Sequence, residues 1–210
     1  MRIRPERTFF VYAVFLKAFP FEGEGGAKRR MRAFSCALLK LQNRKGTDKT
    51  VENDRIVCFT GHRVIPQTKH AALKRRLRQE ILHQIESGAT HFRAGGALGF
   101  DTMAAQTVLE LREQYPFIRL ELVLPCPSQP DRWQAQDVAV YEEIRAQADE
   151  VRYVSGHYFT GVLQLRNRKL VENAAVCIGY LTDSHTHSGG TAYTVLQALS
   201  GGAEFINLAE

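Results

Sequence analysis

The 210-residue chain is 44% hydrophobic and 24% charged, the balance of a globular protein with one sizeable core rather than of a disordered or fibrous chain. Its formal charge of +6 would suit a polyanion binder, but residues 1–54 hold 12 Lys/Arg against 6 Asp/Glu, leaving 16 against 16 in residues 55–210. That neutral bulk argues against a broad nucleic-acid face, and no run approaches the ~20 apolar residues of a membrane span.

Residues 1–54 read as a basic, poorly patterned N-terminal extension, with the charged and glycine-rich stretches FEGEGGAKRR and QNRKGTDKT. The apolar run Phe9–Phe19 is interrupted by Lys17, is followed by Pro20 and Glu22, and leads to no small-residue cleavage pattern, so no signal peptide is expected. Cys36, Cys58, Cys126 and Cys177 lack the paired spacing of a zinc site or redox dithiol. They are expected to be buried free thiols, which fits a cytoplasmic, reducing setting.

From Arg55 onward, strand-like and helix-period runs alternate to the end of the chain in the order βαβαβαβαβαβ. The predicted strands are Ile56–Thr60, His91–Ala94, Leu120–Leu124, Glu150–Val154, Val176–Leu181 and Phe205–Leu208, mostly continuous apolar runs of the kind covered on both faces. Between them, Leu73, Leu77, Ile81 and Ile85 mark one helix by spacings of three and four, and Ala104, Val108, Leu111 and Tyr115 mark the next. Ala192, Val195, Leu196 and Leu199 mark the last. The pattern predicts residues 55–210 as an α/β domain, Rossmann-like and doubly wound, with a mostly parallel sheet of about six strands.

Ligands of such sheets bind outside the carboxyl ends of the strands, so the loops after the strands carry the functional weight. Thr60-Gly61-His62-Arg63 follows the first strand and combines a tight turn with two basic side chains. After the second strand, Gly95, Gly96 and Gly99 precede a helix that begins near Asp101; paired glycines let backbone N–H groups approach a phosphate, and the helix start adds its dipole. Asp101 is expected as the N-cap of that helix, with ligand-hydroxyl binding or catalysis as the other reading. The proline-rich loop Pro125–Trp133 ends in the only tryptophan, expected to anchor its own loop rather than to stack on a base. Ser188, Gly189, Gly190 and Thr191 open the last helix as a second anion cradle. His185 and His187 lack a third ligand, so no metal site is expected. Arg166 falls in an apolar stripe with Leu163, Leu170 and Ala174, where its guanidinium either snorkels to solvent or reaches the crevice. Asn167 stands beside it.

CFTGHR at Cys58–Arg63, AGGALGFD at Ala94–Asp101, LRNRKLVENA at Leu165–Ala174 and SGGTAYTVLQA at Ser188–Ala198 together resemble the YpsA-like branch of the SLOG superfamily over roughly residues 55–210. The resemblance implies a Rossmannoid fold and a pocket for a nucleotide or nucleotide-derived ligand such as ADP-ribose or NAD, built largely from these glycine-rich loops. It extends to the LOG phosphoribohydrolases at Arg166 and at Gly189-Gly190-Thr191, but the LOG pattern PGGxGT with paired glutamates is replaced here by SGGT, with Tyr193 and Thr194 where the acids would lie. DNA-processing protein A, another relative, binds single-stranded DNA, and the one basic cluster here, Lys74, Arg75, Arg76 and Arg78, is expected to be a solvated helix face.

The combined expectation is a cytoplasmic protein that binds or senses a nucleotide-type small molecule. An N-glycosidic (phosphoribo)hydrolase acting on a nucleoside monophosphate or ADP-ribose, with Asp101 as its candidate catalytic group, is one alternative, and a protein-interaction module is another. Ligand identity and oligomeric state, a homo-oligomer included, stay open at this stage.

Overall fold

A computed structural model of the chain describes residues 55–182 and 189–209. Six strands and five helices alternate: β1 (Arg55–Gly61), α1 (Gln67–Glu86), β2 (Ala89–Ala94), α2 (Phe100–Arg112), β3 (Arg119–Leu124), α3 (Ala135–Gln147), β4 (Glu150–Tyr153), α4 (Val162–Val171), β5 (Val176–Tyr180), α5 (Gly190–Ser200) and β6 (Glu204–Asn207). The expected strands are all present, displaced by one or two residues at some ends.

The sheet is parallel throughout, in the order β4-β3-β2-β1-β5-β6. Right-handed crossovers explain the layering. Stepping from β1 to β4 in one direction puts α1, α2 and α3 on one face; the return from β4 to β5, on the other side of β1, puts α4 and α5 on the opposite face. Alternation along the strands matches this split. Val57 and Phe59 of β1 join Leu73, Leu77, Ile81, Val108 and Leu111 in the larger core, whereas Cys58 between them joins Cys177, Leu170, Val171 and Ala198 in the smaller one. Each fully buried Leu or Ile contributes about 1.5–3 kcal/mol relative to exposure. Cys58 and Cys177 are register partners on β1 and β5, both buried and free, and Cys126 is free as well.

One polar feature interrupts the second face. Glu121 of β3 is buried, pairs with its register partner Arg93 on β2, and accepts a hydrogen bond from Arg152 of β4 at 2.5 Å. Arg93 Nη1 also donates to the carbonyl of Glu172 at the C-terminal end of α4, at 2.6 Å. The network therefore ties α4 to the sheet. Glu121→Ala would leave Arg93 and Arg152 without their shared counter-charge, and it is expected to cost about 2 kcal/mol, less than a fully buried pair because Arg152 remains half in solvent. Chemical denaturation checks this, and a loss below about 0.5 kcal/mol would show the network to be solvated.

On the outer surface, Lys74 and Arg78 of the basic cluster pair with Glu110 of α2, as expected of a solvated helix face. Among the described residues, no helix is long and apolar enough to cross a membrane.

Candidate functional site

In the sheet order, the chain changes direction between β1 and β5, and the loops after those two strands diverge toward opposite faces. A cleft of about 330 Å³ opens there. Its walls bring together Gly61 at the end of β1 with His62 and Arg63 after it, Asp101 on α2, Arg166 and Asn167 on α4, and Gly189, Gly190 and Thr191 at the start of α5. These segments are as much as 130 residues apart in sequence; Thr191 Oγ donates to the Gly61 carbonyl at 3.0 Å. Gly95, Gly96 and Gly99 do not line the cleft but shape the turn behind it. Ser188, with His185 and His187, lies outside the described residues.

The turn after β2 works by close approach. A side chain at Gly95 would overlap the Arg166 guanidinium and come within 2.7 Å of the Asp101 carboxylate, so only glycine lets these two groups meet against the backbone. Gly99 has φ 76° and ψ −115°, a conformation closed to L side chains, and it packs against the Arg63 carbonyl. Phe100 N–H donates to the His62 carbonyl at 3.1 Å, which locks the loops after β1 and β2 together.

Asp101 does not cap α2. Gly99 occupies the N-cap, which places Asp101 two residues inside the helix, and its carboxylate turns back to accept the Ala97 N–H at 3.4 Å. The same Oδ2 lies 3.7 Å from Arg166 Nη1, close enough for attraction and too long for a hydrogen bond. Both groups are withdrawn from water, Asp101 at 4% and Arg166 at 8% exposure. Burial pushes the Asp101 carboxyl above its ordinary value of 3.8, with Arg166 opposing. Burial likewise pulls the Arg166 guanidinium down, with Asp101 opposing, although an arginine keeps its proton in any protein environment.

Arg166 thus reaches the crevice and does not snorkel. Its Nε is buried with no hydrogen-bond partner among the described residues, a condition that costs a charged donor a few kcal/mol. Nearby, α2 and α5 both begin on glycine N-caps, without side-chain cap hydrogen bonds among the described residues, so their positive dipole ends lie toward the cleft region, although the first N–H of α2 is taken by the His62 carbonyl. Arg63 adds a further positive charge at the mouth.

Other polar groups of the cleft are engaged within the protein. Thr182 N–H donates to His62 Nε2 at 3.0 Å, which makes that nitrogen an acceptor and His62 a brace between the ends of β1 and β5. Thr194 Oγ donates to the Gly190 carbonyl at 2.7 Å, and Asn167 Nδ2 to the same carbonyl at 3.4 Å. Trp133 stands edge-on to Tyr141 with ring centroids 5.4 Å apart, so it anchors its own loop as expected. Thr60, Ala97, Leu163 and Thr194 also line the cleft and were not singled out from sequence. Leu163 and Thr194 had a usable signal, since each lies one helical turn from a residue that was.

A parallel, doubly wound sheet with glycine-rich loops meeting at its switch point defines an α/β domain of the Rossmann-like SLOG type. The family model described as the YspA SLOG family, YpsA, matches residues 60–201, and the chain belongs to that family. It is 28% identical over 153 residues to a UPF0398 protein of Bacillus pumilus, a match covering 69% of this chain and 81% of that one. A UPF0398 protein of Brevibacillus brevis is 30% identical over 106 residues, 50% of this chain and 56% of the relative. Among solved structures, the fold is similar to that of DNA processing protein A from Helicobacter pylori, with TM-score 0.53 and 21% identity over 77% of this chain and 68% of that one. That structure is described for its single-stranded DNA binding mode.

Proposed function

We propose that the cleft between the β1 and β5 loops binds the phosphate-bearing part of a nucleotide or nucleotide-derived ligand, in a sensing or binding role. The observation that carries this reading is Arg166: a guanidinium at 8% exposure, with its carboxylate neighbour beyond hydrogen-bonding distance and its Nε unpartnered. A phosphate oxygen supplies what that site lacks, and the positive ends of α2 and α5 with Arg63 favour the same charge. The volume, about 330 Å³, is of the order that small-molecule sites occupy. Membership of the SLOG family supports a nucleotide-related ligand, and the free cysteines fit a cytoplasmic setting.

Binding is favoured over hydrolysis by the carboxylate inventory. Asp101 is the sole acid lining the cleft among the described residues, and its Oδ2 is engaged by Ala97 N–H beside Arg166. At the start of α5, Thr194 spends its hydroxyl on a backbone carbonyl. Among the described residues, Asp101 is thus the one carboxylate that could stabilise an oxocarbenium-like centre, and it is already committed to this contact.

Isothermal titration of the full chain with ADP, ADP-ribose and NAD tests the proposal, with a single-stranded oligonucleotide in the same panel as the polyanion control. Saturable binding of one or more nucleotides is expected. Binding of the oligonucleotide alone would reassign the site, and release of free base from any nucleotide would restore the hydrolase reading.

Asp101 adds a pH prediction. Its folded-state value is raised, so its neutral form contributes stability that is fully present below about 3.8 and is lost as pH rises through the folded value. Asp101→Asn keeps the acceptor for Ala97 N–H and removes the titration. Across acidic denaturation series, the stability of wild type minus that of the variant is expected to fall with rising pH; a flat or rising difference would contradict the direction of the shift.

A further inference from the structure

Phosphate recognition alone does not distinguish a nucleotide from any other phosphorylated molecule, and a second feature of the same edge bears on that choice. Among the described residues, the large hydrophobic side chains left most exposed are Val64 at 81%, Tyr158 at 64%, Phe117 at 56% and Phe159 at 40%. Phe117 lies at the amino end of β3, edge-on to Tyr115. The other three belong to carboxyl-end loops: Val64 directly follows Arg63 of the cleft, and Tyr158 and Phe159 stand on the loop that carries the chain from β4 to α4. Phe159 is tied to that helix, its carbonyl accepting the Val162 N–H at 3.1 Å, and the next residue, Leu163, lines the cleft. Leaving two adjacent aromatic rings in water forgoes burial that other aromatics of the fold obtain.

We propose that Tyr158 and Phe159 form the stacking platform for the base of a nucleotide whose phosphate is held at Arg166. This deepens, and rests on, the reading of the cleft as an anion site. The platform is aromatic and exposed, and it is bonded to the start of α4, whose first turn supplies Leu163 to the cleft wall and whose next supplies a buried guanidinium with an unpartnered Nε; a molecule complementary to both carries a flat π-face and an anionic group. The lone tryptophan is not available for this role, since its ring is set against Tyr141. His157, whose ring centroid lies 6.3 Å from that of Phe159, supports the platform from the side.

Calorimetric titration of the full chain with ADP and, separately, with inorganic pyrophosphate tests the proposal. Tyr158→Ala/Phe159→Ala is expected to weaken ADP binding roughly ten- to a hundredfold and to leave pyrophosphate within about twofold of wild type. Tyr158→Phe/Phe159→Tyr keeps both affinities. Unchanged ADP affinity in the double alanine variant overturns the platform while the anion site stands. Equal weakening of ADP and pyrophosphate also overturns it, because a loop that only positions α4 would move both. If wild type binds neither ligand, the anion site itself falls and the platform with it. A change of sedimentation coefficient in the alanine variant, with ADP affinity unchanged, reassigns the two rings to a protein contact.

Discussion

Arg166→Met is expected to weaken nucleotide binding by about thirtyfold or more while the protein still folds. The magnitude follows from removing the charge that a bound phosphate would share, since truncating one partner of a buried charge pair costs about 2–5 kcal/mol. The fold should survive for a separate reason. Methionine fills much of the same volume beside Gly95, and Asp101, already pushed toward its neutral form by burial, can take up a proton more readily once Arg166 is gone and Arg63 is left as the weaker opposing charge. Removing one partner of a buried ion pair is costly while the other stays charged, and protonation of Asp101 is what avoids that cost. Calorimetry with ADP alongside thermal unfolding separates the two effects: retained affinity within about threefold would remove Arg166 from the anion site, and loss of folding would make the residue structural.

Gly99→Ala is expected to destabilise the domain by about 3 kcal/mol. Two costs coincide at this residue. Its φ of 76° with ψ of −115° is a conformation for which an L residue is strained by about 1–3 kcal/mol. An added Cβ would also run into the carbonyl of Arg63, a backbone atom held by the hydrogen bond between Phe100 N–H and the adjacent His62 carbonyl. Relief would require the β1 and β2 loops to separate, carrying Arg63 away from the cleft. Urea denaturation measures the stability, and ADP titration at low denaturant should show weakened binding in the folded fraction. A loss below about 1 kcal/mol would mean that the two loops are not rigidly joined.

Local signals made much of this protein legible in its sequence. Continuous apolar runs in β1, β3 and β5 and three-and-four spacing in α1, α2 and α5 depend on neighbours along the chain, so each strand could be placed within a residue or two, although Tyr115 falls beyond the end of α2. The glycine-rich turns were legible for the same reason, because a backbone conformation open only to glycine leaves its mark in one position. Arg166 was visible only as an anomaly: a charge in the stripe of Leu163, Leu170 and Ala174, equally compatible with solvent or with the crevice.

What resolved Arg166 was the return of the chain from β4 across the sheet, which lays α4 on the face opposite α1 to α3 and its inner side against the Gly95 turn. Asp101, expected as a helix cap, instead stands two residues inside α2 behind the Gly99 N-cap and folds back toward Ala97 and Arg166, a group that the same crossing brings to it. Tyr158 and Phe159 gave no periodic signal; their loop runs from β4, at one edge of the sheet, to α4, whose Leu163 lines the cleft. Element identity and turn chemistry arise from interactions between residues a few positions apart, which one sequence displays directly. The cleft arises between segments as much as 130 residues apart, and it exists because right-handed crossovers of opposite direction leave β1 and β5 side by side with their following loops diverging.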